Sequence, residues 1–234
     1  MENKKTIIGI IILVILIVAI GVIAYSFNNF NSEQMKLLSE ETNKILQSDI
    51  ANENISFSIK TKKNYAVVEK AVKEYVSNLK NIYVEIDELN SGINPNNIFS
   101  SQNMQDKDLR DVEEIISEYK EKGQNCVSEL QSLTSESRIT ENIDTKNISN
   151  RKDYYKNLYN TIMLSDSMKT QYASLNEKVK DENSKLNEKV TKIEKIKKFL
   201  VDNKSSWEIK EDKIQFTNLN RMTEYYSLLN QFID

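Results

Sequence analysis

From Tyr65 the apolar residues Val68, Val72, Tyr75, Leu79, Ile82, Ile86 and Leu89 follow at steps of three and four without a miss. Four repeats of that spacing place all of them on one narrow stripe of a helix, the a/d seam of a coiled coil. A second seam runs through Leu109, Val112, Ile116, Tyr119, Gly123, Cys126, Leu130 and Leu133, with Gly123 its one departure. The chain's single proline, Pro95, lies between them, so the two seams predict an antiparallel helical hairpin over 62–134. Antiparallel coiled coils set an a residue against a d residue. One register does so at every level, with Leu89 opposite Leu109, Ile82 opposite Ile116, Tyr65 opposite Leu133, and Tyr75 opposite Gly123, where the missing side chain leaves room for the ring; shifts of one heptad also keep the a-to-d pairing.

Only four glycines and one proline interrupt 234 residues, of which 29% are charged. Long helices with few breaks follow, and the expected fold class is all-α: an elongated antiparallel helical bundle or coiled coil. A third pattern, without Gly or Pro, predicts one long helix over 148–201 through Tyr155, Leu158, Ile162, Tyr172, Val179, Leu186, Val190, Ile193 and Leu200, with Asp144 and Thr145 offering its N-cap. At ~1.5 Å per residue it is about 80 Å long. It should therefore outrun the hairpin and leave its far stripe uncovered.

The last segment, 205–234, is suited to that gap. Trp207, Ile209, Ile214 and Phe216 alternate on either side of a polar Lys-Glu-Asp and predict a small β-hairpin. These four form a packing cap at the tip and are the candidate interaction residues. Thr217 then caps a helix whose Leu219, Met222, Tyr226, Leu229 and Ile233 fold back along the stripe. A second copy of the chain is the other way to cover it, so a homo-oligomer stays open. Nearer the start, Ser32 caps a short helix carrying Met35, Leu38, Thr42 and Ile45. Residues 52–61 read as a strand or extended connection, with a continuous helix as the alternative.

From Ile7 to Tyr25 nineteen residues carry no charge, close to the ~20 needed to span a bilayer as a helix. A signal-peptide core is shorter, about 7–15 apolar residues, which favours an uncleaved anchor. Lys4 and Lys5 stand on one flank, and no basic residue follows until Lys36. The expected topology is a short cytoplasmic N-terminus (1–6), a transmembrane helix (7–25) in contact with membrane lipid, and an extracytoplasmic domain (26–234).

Chemistry is narrowly bounded. Histidine is absent, which removes the commonest general base and metal ligand. Cys126 is the only cysteine and sits on a seam, where a buried small hydrophobe is the commoner role. Glu113, Glu114 and Glu118 fall on the solvated face of a helix whose apolar seam is already assigned. No phosphate loop, zinc signature or nucleophile elbow is present. No catalytic, cofactor-binding or metal residue, and no cofactor, is expected. With 32 basic and 35 acidic residues interspersed, nucleic acid is not an expected partner. Asn, Lys and Ile enrichment indicates AT-rich codon usage and a bacterial, Gram-positive source. The layout resembles that of single-pass envelope proteins with an external coiled coil; no motif accompanies the likeness, so no residue role follows from it. The expected function is a non-catalytic interaction or scaffold component of the bacterial cell envelope, with a protein or envelope partner. The alternative is a sensory or regulatory subunit that binds outside and signals through another membrane protein.

Overall fold

The computed structural model describes residues 29–51, 54 and 56–233. The apolar run 7–25, and the membrane span expected there, lie outside them. Among the described residues no helix is long and apolar enough to cross a membrane. Helices dominate: α1 (Asn29–Gln47), α2 (Asn64–Gly92), the one-turn α3 (Pro95–Ile98), α4 (Arg110–Leu133), α5 (Glu136–Asp144), α6 (Lys152–Met163), α7 (Asp166–Asp202) and α8 (Leu219–Ile233). Strands β1 (Trp207–Lys210) and β2 (Lys213–Phe216) form one antiparallel pair. Contacts divide the chain into two compact units, one of residues up to Tyr83 with Leu130–Glu177, the other of Val84–Glu129 with residues from Lys178 onward. Helices α2, α4 and α7 contribute to both.

In the first unit the predicted seam residues of α2 from Tyr65 to Ile82 are all buried, and so are Ala71 and Val76 beside them. The buried stripe is thus wider than a two-helix seam, as a globular bundle requires. Helix α1 contributes Met35, Leu38 and Ile45, α5 Ile139 and Ile143, and α6 Tyr155, Leu158, Tyr159, Ile162 and Met163. Tyr155 packs edge-on to Tyr65 at 5.1 Å between ring centroids. Ser32 lies inside α1 and does not cap it.

Residues 54 and 56–60 form neither helix nor strand, and buried charges hold this connection. The Glu69 carboxylate, fully buried, accepts the Lys60 and Thr61 amides and the Thr61 hydroxyl at 2.8–3.1 Å. The Lys73 ammonium donates to Glu69 and Glu41 at 2.7 Å and to the Ser58 carbonyl at 2.8 Å. Burial on its own pushes both carboxyls up, but Lys44 and Lys73 for Glu41, and Lys73 with the Thr61 and Lys60 donors for Glu69, outweigh it and hold them below the usual carboxylate range.

The helix expected over 148–201 is two helices, and no Gly or Pro divides them. At Leu164 the backbone leaves the helix (φ −102°, ψ 11°). The Ser165 hydroxyl donates to the Ile162 carbonyl at 2.8 Å and accepts the Met168 amide at 3.3 Å. One serine therefore closes α6 and caps α7, with Asp166 next to it favoured by the helix dipole. The Tyr172 hydroxyl satisfies the Met163 carbonyl. Asp144 ends α5 and caps nothing; α6 starts instead after Arg151, in the left-handed region at φ 48°.

The expected register is also corrected. In the first unit the Tyr75 hydroxyl donates to the Leu133 carbonyl, ten residues along α4 from Gly123, or about 15 Å. In the second unit a Cβ on Gly123 would lie 2.5 Å from Asn183 Oδ1 and 2.8 Å from Leu186 Cδ2. The glycine admits α7, not a tyrosine ring. The uncovered overhang does not arise either, since Leu186, Val190, Ile193 and Leu200 share one core with Leu109, Val112 and Ile116. Ile98, Phe99 and Met104, from the connector between α2 and α4, complete it.

Candidate interaction site

The β-hairpin pairs Trp207 with Phe216 and Ile209 with Ile214. Period-two alternation puts these four on one face, and that face is turned to the core of the second unit. Trp207 is buried; Ile209, Ile214 and Phe216 are half-buried against the same cluster. The indole N–H donates to the Leu200 carbonyl at 2.8 Å, satisfying an acceptor in the last turn of α7. The Lys107 ammonium lies 3.5 Å from the indole centroid and donates to the Trp207 carbonyl. Burial, opposed by Glu208, pulls the Lys107 pKa down. A Lys204–Asp108 ion pair at 3.0 Å and a Ser101–Asp212 hydrogen bond at 2.8 Å tie the hairpin's surroundings to the connector before α4. The four sequence-predicted residues are therefore brought together, and their side chains are spent on packing.

Helix α8 follows at once. Its cap is Asn218, whose side-chain oxygen accepts the Asn220 amide at 2.8 Å; the expected cap, Thr217, instead bonds through its N–H to the Ser206 carbonyl and closes the base of the hairpin. The helix does fold back onto α7's core, but on a different face from the one expected. Tyr225 is buried, Leu228, Leu229 and Phe232 are half-buried against the cluster, and Phe216 lies 5.2 Å from the Tyr225 ring. Leu219 is 70% exposed and Tyr226 52%. With Met222, half-buried, these form an outward stripe bordered by Thr223, Ser227, Asn230 and Gln231, none of them charged.

The carboxylates weighed in the sequence are ordinary surface groups: Glu113 pairs with Lys197 and Glu118 with Lys122. Among the described residues no group of three His, Cys, Asp or Glu is placed to hold a metal ion. No protein-family model matches the chain, and no curated protein or solved structure is similar to it.

Proposed function

We propose that this chain is a membrane-anchored, extracytoplasmic and non-catalytic interaction or scaffold component of the bacterial cell envelope. In this reading residues 7–25 hold it in the lipid, and the outer face of α8 docks a partner protein. The observation that carries the docking surface is the exposure of Leu219 and Tyr226 on a helix fixed through its opposite face by Tyr225. Three apolar side chains at heptad spacing within two turns form a patch, unlike scattered surface apolars. Their uncharged border matches the charge-poor centre of protein interfaces, in a chain that is 29% charged overall.

Leu219→Asp and Tyr226→Asp, in the full chain expressed in its own membrane, test the surface. Both variants should melt like the parent yet lose whatever protein cross-links to it stoichiometrically. A membrane protein with its own output domain in that position assigns the regulatory role, and a wall or surface protein the scaffold role. Identical cross-links with and without the aspartates refute the α8 surface. Added protease should remove the domain from intact, wall-free cells; protection there refutes the topology.

A further inference from the structure

In the first unit three chain segments converge at one end. The Lys62 amide donates to the Gln34 side chain at 2.6 Å, and the Lys63 ammonium stands 4.7 Å above the Phe30 ring. Asn64 bonds to the carbonyl and side chain of Asn150 at 3.0 and 3.1 Å. The start of α1, the start of α2 and the residues leading into α6 therefore share this base, and with them Lys62, Lys63, Arg151 and Lys152, all exposed. Lys62, Lys63 and Lys152 form no ion pair among the described residues, and against them stand two exposed acids, Glu33 after the first turn of α1 and Asp153 in the first turn of α6. The base is net positive, although the chain carries −3 overall.

The apolar run ends at Tyr25 and α1 is described from Asn29, so four peptide steps join them and span at most about 14 Å. An inserted run 7–25 therefore holds the base close to the headgroups, near the ~8–10 Å over which charges act in physiological salt.

We propose that the base of the first unit docks onto anionic lipid headgroups through Lys62, Lys63, Arg151 and Lys152. The docking rests on the anchor reading above and adds to it an orientation: the start of α1 faces the bilayer. Charge complementarity and the covalent tether select a lipid surface over other polyanions, because only the lipid is held at the base by the chain itself.

The test uses the full chain with vesicles of phosphatidylcholine alone, or of phosphatidylcholine and phosphatidylglycerol in equal parts. Flotation reads the anchor, and lysine acylation mapped by mass spectrometry reads the base. In mixed vesicles Lys62, Lys63 and Lys152 should acylate about fivefold more slowly than in neutral ones, the effect expected per basic residue at an anionic surface. Lys210 and Lys213 should be unchanged, and high salt should abolish the difference. Lys62→Glu with Lys63→Glu should remove the protection of Lys152 while the helical signal stays intact. Flotation with both vesicles and equal acylation overturns the docking and leaves the anchor standing. Flotation with mixed vesicles only overturns the anchor and supports the basic face. Failure to float with either overturns both.

Discussion

Replacing Gly123 by alanine sets two measurable terms against each other. Alanine in a helix interior is worth about 1 kcal/mol over glycine. Against that, the new methyl group would sit 2.5 Å from Asn183 Oδ1 and 2.8 Å from Leu186 Cδ2, well inside carbon contact distance. Asn183 is half-buried and its buried Oδ1 has no hydrogen-bond partner, so moving it forfeits no hydrogen bond. Leu186 is fully buried in the second unit's core and must move into packed neighbours, at about 1–3 kcal/mol. Gly123→Ala should therefore be neutral to destabilising by about 2 kcal/mol, measured by urea unfolding. The decisive comparison is the Leu186→Ala background, where Cδ2 is gone and the same substitution should stabilise by ~1 kcal/mol. A Tyr75→Ala background should leave the effect of Gly123→Ala unchanged. Equal effects with and without Leu186, or coupling to Tyr75, would refute the packing of Gly123 against α7.

Glu69→Gln should cost about 3–5 kcal/mol, because it removes one anion from a buried cluster and leaves Glu41 as the one carboxylate paired with Lys73; a melting point within a degree of the parent would show the cluster to be dispensable. Since Glu41 and Glu69 have folded pKa values below their ordinary ones, the stability they add is present above the carboxylate range. It should be lost as pH falls through their folded values, and the acid limb of stability against pH should flatten in Glu69→Gln. Glu211 and Asp212 both occupy positive φ, 50° and 59°, in the two-residue turn of the β-hairpin. Glu211→Asn should stabilise by about 0.5–1 kcal/mol, as such turns favour asparagine there; a loss of stability would contradict the turn. Burial first, then the fields of Glu85 and Glu129, push the Cys126 thiol up to about 11. A thiol reagent at mildly alkaline pH should leave it intact in the folded protein and modify it fully in denaturant.

The seams were legible because burial imposes their period: every apolar position expected on α2 from Tyr65 to Ile82 is in the core. Helix ends were less so. Ser165 breaks a pattern with no Gly or Pro near it, and its signal, a serine followed by aspartate, is common inside helices too. Lys63, Leu109 and Arg151 precede α2, α4 and α6 in the left-handed region, a conformation that side chains of this kind do not announce. The face of α8 was ambiguous for a plain reason. Tyr225 and Tyr226 are adjacent, and 225, 228, 229 and 232 fit the helical period as well as 219, 222, 226 and 229 do, so only the tertiary contact selects between them. Glu41, Glu69 and Lys73 look like solvated charges until the connection between α1 and α2 is packed over them. The four residues of the β-hairpin were brought together as expected, while the exposed stripe emerged from the seam that was expected to be covered.

The placement of the single tryptophan has an optical consequence. Trp207 belongs to the second unit, whereas Tyr65, Tyr75, Tyr83, Tyr154, Tyr155, Tyr159 and Tyr172 belong to the first. Indole emission is therefore a private reporter of one unit, blue-shifted while the ring is buried, and tyrosine absorbance reports mainly on the other. Followed together through a denaturant titration, the two signals say whether the three helices common to both units make them melt as one body: coincident transitions mean a single cooperative block, and separated transitions mean that α2, α4 and α7 can fray along their length.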